Sequence, residues 1–144
     1  MERRDFINLG LAGGVGSLLI PSVALAGNDQ NNMAGGVFYT KQNPGRWSKK
    51  IAGHLPNIEI ERVNGKVTVQ VTTAHGMDGY KHYIVKHVML DGNFNFLDEK
   101  MFDPMKDKTP TSTFTLENYK GTIHVLSMCN KHDVWLNSTN VQAL

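Results

Sequence analysis

A chain of 144 residues with a formal charge of +2 and no basic run longer than two residues has room for one domain core. It offers nucleic acid neither the charge nor the interleaved basic and aromatic residues that binding needs. A mean hydropathy of -0.31 excludes a disordered chain, and a single cysteine, Cys129, excludes an internal disulfide.

Residues 1–26 read as an address. Arg3-Arg4 followed by Phe6-Ile7-Asn8-Leu9, an apolar stretch rich in glycine, and Ala24-Leu25-Ala26 have the form of a twin-arginine signal with its cleavage site. Left uncleaved, the uncharged stretch is about 20 residues long, enough to anchor the chain in a membrane. The expected location is therefore the periplasm or the outer face of the cytoplasmic membrane, with membrane contact only if the leader is retained. Residues 27–36, GNDQNNMAGG, read as a flexible linker, and 37–144 as the folded domain.

Within that domain the hydrophobic period is two. Ile58, Ile60 and Val63 lead through the turn Asn64-Gly65 into 66–73, which predicts a hairpin. A third strand is expected over 80–90, a fourth at Phe94 and Phe96, and others over 112–116, 122–128 and 134–137, with no helix of note. About seven short strands with turn signals near every ten residues predict an all-β fold, an immunoglobulin-like antiparallel β-sandwich.

Cys129-Asn130-Lys131-His132 places a thiolate and an imidazole three residues apart where a strand ends, and a tight turn there lets both face one ion. By itself this is weak evidence, since it is more often the pattern of a buried cysteine beside a surface histidine. His54, His75 and His82 also stand where loops meet strands. Imidazole suits iron, zinc, copper and nickel, and four imidazoles with one thiolate do not make a closed tetrahedral zinc site. His87 and His124 read as structural, and Met77, Met89, Met101, Met105 and Met128 as core filling.

His54-Leu55-Pro56-Asn57-Ile58-Glu59, His75-Gly76-Met77 with His82-Tyr83-Ile84, and Met128-Cys129-Asn130-Lys131-His132 with Trp135 together resemble the superoxide reductase family, also called neelaredoxin or desulfoferrodoxin. The resemblance runs from Trp47 to Asn137. It implies one mononuclear non-haem iron held by His54, His75, His82, His132 and Cys129, and reduction of superoxide to hydrogen peroxide. It also implies an external electron donor, such as a small cytochrome, a rubredoxin-like protein or a membrane redox complex. With one cysteine, the chain resembles the one-iron form.

Two departures from the family pattern stand out. The loop between His75 and His82 is one residue longer, and the family's Glu-Lys before the first histidine is replaced by Ala52-Gly53. Lys49, Lys50 and Lys131 are the candidates to attract the anion in place of that lysine. The other reading of the same residues is a non-catalytic, iron-binding or structural subunit of a membrane redox complex, and a metal-free adhesion or carrier module is a third. Self-association is compatible with all of these.

Overall fold

The computed structural model describes residues 33–142. The expected leader and the first part of the expected linker lie outside the described residues. Residues 33–36 form a hydrogen-bonded turn, in which the Val37 amide donates to the Met33 carbonyl at 2.8 Å. Among the described residues no helix is long and apolar enough to cross a membrane.

Seven strands follow: β1 Asn57–Val63, β2 Lys66–Thr72, β3 Ile84–Asp91, β4 Phe96–Met101, β5 Thr111–Glu117, β6 Gly121–Cys129 and β7 Asp133–Val141. They make a three-stranded sheet in the order β1-β2-β5 and a four-stranded sheet in the order β4-β3-β6-β7, and every pairing is antiparallel. The expected sandwich is the observed one. The first hairpin turns at Asn64 and Gly65 because both adopt positive φ, 50° and 80°, the combination a two-residue turn needs to match strand twist.

Three expectations need correction. The third strand begins at Ile84, not Tyr80, because Gly79 takes φ +51° and turns Gly79–Lys81 into a short 3-10 segment. Phe94 is not on a strand: it has φ 65° in the turn between β3 and β4, its ring stacked on His124 at 4.2 Å. One helical turn, α1 at Ile51–His54, stands where no helix of note is expected, too short to register as a periodic pattern.

Period-two alternation fills the space between the sheets. Val67, Val69 and Val71 from β2, Met89 from β3, Phe114 from β5, Ile123 and Val125 from β6 and Val141 from β7 form the main core. Fully burying a valine- or leucine-sized side chain contributes about 2 kcal/mol, so this cluster is the main favourable term in folding.

Toward one end of the sandwich the interior turns polar. Thr73, His87, Ser112 and Ser127 are all buried and joined in a chain. His87 meets Ser112 Oγ through Nδ1 at 2.7 Å and Thr73 Oγ1 through Nε2 at 2.8 Å, and Thr73 Oγ1 meets Ser127 Oγ at 2.8 Å. Burial pushes the His87 pKa down to about 4, since a charged imidazole would lose its hydration there.

That depression sets a pH window. The unfolded chain takes up a proton near 6.5 while the folded protein resists until about 4, so His87 costs nothing above 6.5 and destabilises the fold increasingly as pH falls between the two values. The full loss is about 3 kcal/mol at pH 4, and about 2 kcal/mol at pH 5. Urea unfolding of wild type and His87→Gln at pH 7 and pH 5 checks this: wild type should lose about 2 kcal/mol more than the variant.

Candidate metal centre

All five expected donors meet at that polar end. One ligand atom from each of His54, His75, His82, Cys129 and His132 lies within 4.8 Å of every other. Each comes from a different local device. His54 is the last residue of α1, and its Nδ1–H donates to the Lys50 carbonyl at 2.9 Å. His75 lies three residues beyond β2, and its Nδ1–H donates to the Gly76 carbonyl. Cys129 ends β6 and His132 occupies the turn before β7.

His82 is the position most at risk from the longer loop. Asp78 and His82 pair as an isolated bridge, with the Asp78 amide donating to the His82 carbonyl at 2.9 Å, so the extra residue is absorbed in the intervening turn. A bulge between Ile84 and Lys86 then shifts the register of β3 against β6. A bulge exchanges the two faces of a strand. Ile84, fully buried, and His82 two residues earlier therefore share the inner side with His87 and Met89.

The four nitrogens form a square. His54 Nε2 is 3.1 Å from His132 Nδ1, His132 Nδ1 is 3.1 Å from His82 Nε2, and His82 Nε2 is 3.0 Å from His75 Nε2. The fourth side joins His54 and His75, whose rings meet edge to face at 4.7 Å. Nitrogens bound at about 2.1 Å around one ion stand about 3.0 Å apart at neighbouring corners, which is the spacing here. Cys129 Sγ is 3.9 Å from His75 Nε2 and 3.5 Å from His132 Nδ1, the ends of one diagonal, so it stands off the square. Cys129 and His54 are buried while His75, His82 and His132 are partly exposed, so the cluster reaches solvent at these three histidines.

The protonation of this set fits a cation. With Nδ1 of His54 and His75 committed as donors to carbonyls, Nε2 of both presents a bare lone pair to the centre. Burial and the neighbouring imidazoles hold His54 down to about 4. His82 is lowered by desolvation, then by His75, His132, Lys131 and Lys50. His132 is lowered by desolvation, then by Lys50, His75 and Lys131. Imidazoles kept neutral are competent ligands at neutral pH. Two of the three lysines singled out in the sequence, Lys50 and Lys131, thus place positive charge at the cluster, and all three are exposed.

Several residues that are not donors hold the donors in place, a role the sequence does not assign to them. Asn130, inside the Cys-x-x-His turn, clips it to the loop of His82: its side chain accepts from the Tyr83 amide at 3.0 Å and donates to the Lys81 carbonyl at 3.1 Å. Asp133, at φ 63°, accepts from Trp47 Nε1 at 2.8 Å and Arg46 at 2.6 Å, and Trp47 meets the His132 ring edge-on at 4.7 Å. Trp135 Nε1 donates to the His132 carbonyl at 2.9 Å. Asn130 and Trp135 stand in the motif that carries the resemblance, whereas no sequence signal marks Arg46 or Asp133.

An antiparallel sandwich with four imidazoles and one thiolate converging at one end defines a mononuclear metal-binding β-sandwich. The chain belongs to the desulfoferrodoxin family, whose model matches residues 45–138. Among solved structures it is similar to a superoxide reductase (neelaredoxin) from Ignicoccus hospitalis, at 24% identity and a TM-score of 0.62, covering 75% of this chain and 96% of that one. It is also similar to a superoxide reductase in the oxidised state, at 26% identity and a TM-score of 0.52, covering 62% and 88%. A superoxide reductase from Nanoarchaeum equitans matches at 17% identity and a TM-score of 0.55, covering 62% and 94%. No curated protein matches. The family takes one mononuclear iron, and the five donors fit it.

Two variants test the donor set. Cys129→Ser should abolish the visible thiolate-to-iron absorption while leaving the sandwich folded, because the chain has one cysteine to supply that transition. His82→Ala should weaken iron binding by roughly 10-fold or more, whereas His124→Ala, whose Nδ1 bonds Ser138 at 2.6 Å on the outer face, should leave it unchanged. Optical spectra and iron analysis read both outcomes.

Proposed function

We propose that this protein reduces superoxide to hydrogen peroxide at iron held by His54, His75, His82, His132 and Cys129. The observation that carries the reading is the square of imidazole nitrogens with a buried thiolate standing off it and three of the histidines partly exposed. Iron held there would supply one-electron redox chemistry toward a small oxyanion, with an outside donor restoring the electron. The overall step adds one electron and two protons to each superoxide.

The residues supply the rest. Cys129, a buried donor, would hold the iron through its thiolate and supply electron density to it. The Lys50 and Gly76 carbonyls fix the tautomers of His54 and His75 and raise the basicity of their ligating nitrogens. Lys50 and Lys131 draw the anion toward the exposed side, the work of the missing lysine before His54. Lys49, exposed next to Lys50, adds to the same field.

Re-reduction requires a one-electron donor outside this chain. For an exported protein that donor is a small cytochrome or a membrane redox complex, with a rubredoxin-like protein as the third class. Export by the twin-arginine route accords with this, since that route carries proteins folded with their metal in place. The apparent leader in residues 1–26 supports the periplasmic side of the membrane as the site of action.

Charge near an active site acts on encounter and is screened over roughly 8 Å at physiological salt. Lys50→Ala combined with Lys131→Ala should therefore slow the second-order reaction of ferrous protein with superoxide by about 10-fold at low salt and flatten its salt dependence, with the iron spectrum unchanged. Pulse radiolysis across an ionic-strength series measures this; an unaltered rate and salt slope would remove both lysines from the reaction. Absence of any fast ferrous oxidation by superoxide in wild type would overturn the function itself.

A further inference from the structure

We infer that the buried chain of Thr73, His87, Ser112 and Ser127 is a positioning device that sets the distance between the thiolate of Cys129 and the imidazole of His75. This rests on the five-donor iron site proposed above and adds residues that do not touch it.

The placement follows from the strand period. Ser127 precedes Cys129 by two residues on β6, so their side chains share one face. Thr73 precedes His75 by two residues just past β2, and the His75 amide donates to the Thr73 carbonyl at 2.7 Å. The Thr73–Ser127 bond, 2.8 Å, therefore crosses from one sheet to the other directly beneath the pair of ligands whose donor atoms are 3.9 Å apart.

His87 and Ser112 brace that bond. His87 is the cross-strand partner of Ser127, and Ser112 is the cross-strand partner of Val71 on β2. Bonding Ser112 through one ring nitrogen and Thr73 through the other, His87 ties each sheet to the other a second time. The Thr73 hydroxyl has one proton and two partners, so it donates to one and accepts from the other, and the chain carries a single direction. All four side chains are buried, and none of their polar atoms is left without a partner. A satisfied polar chain beside an otherwise apolar core fixes one arrangement of the sheets where apolar packing would permit several.

The test uses the full chain loaded with iron. Thr73→Val keeps the shape and deletes the hydroxyl. It should displace the visible thiolate-to-iron absorption band and raise the iron dissociation constant roughly 10-fold, and Thr73→Ser should restore both. Ser127→Ala removes the same bond from the other sheet by deleting one oxygen and should displace the band in the same direction. It decides the matter if Thr73→Val does not fold. Wild-type bands and iron affinity in the variants, with only a lowered melting temperature, would show a merely structural role and overturn the inference. Iron-loaded wild type lacking the band altogether would overturn the five-donor site first, and the positioning role with it.

Discussion

Lone pairs of His54 and His75 point at a common centre because both imidazoles spend their other nitrogen on a backbone carbonyl. Four ring nitrogens 3.0 to 3.1 Å apart along three sides of a square, with a sulfur behind them, form a concentration of electron density that a cation relieves. Gathering them requires the turn that ends in His54, the loop from β2 to β3 and the turn from β6 to β7 to arrive together. Much of the detail at this end of the molecule serves that convergence: the clip made by Asn130, the Trp47–Asp133 bond over His132, the bulge in β3 and the helical turn that ends in His54.

Along β2 and β6 the interior is layered. Val67, Val69 and Val71 precede Thr73 and then His75, while Ile123 and Val125 precede Ser127 and then Cys129. Each step of two residues changes the chemistry from apolar core to hydrogen-bonding brace to ligand. The apolar layer supplies stability through burial, the polar layer supplies direction, and the outermost layer holds the ion. A one-residue slip of either strand would turn its brace and its ligand to the outer face together, so register here matters to chemistry and to folding alike.

The sandwich is legible in the sequence because half-buried strands alternate with period two and Asn64-Gly65 is a strong turn signal. The five donors are legible as a set only through their resemblance to a family, since Cys129 and His132 three residues apart are compatible with no metal at all. The direction in which His82 points depends on a bulge at Ile84 and a turn at Gly79. Such features arise from local backbone conformation, which hydropathy does not encode. His87 stands outside the five donors, as expected, but its hydrogen-bond partners Thr73 and Ser112 lie 14 and 25 residues away in sequence, so the chain it completes is visible only in three dimensions. Asn130 and Asp133 each join two separate parts of the chain through hydrogen bonds whose geometry the fold creates.

Iron K-edge X-ray absorption on the ferrous protein measures the ligand set itself, independent of turnover, donor and leader. One sulfur scatterer with about four nitrogen scatterers is the set that these donors predict. An iron shell without sulfur, or one with four ligands in all, would contradict the site on which the rest depends.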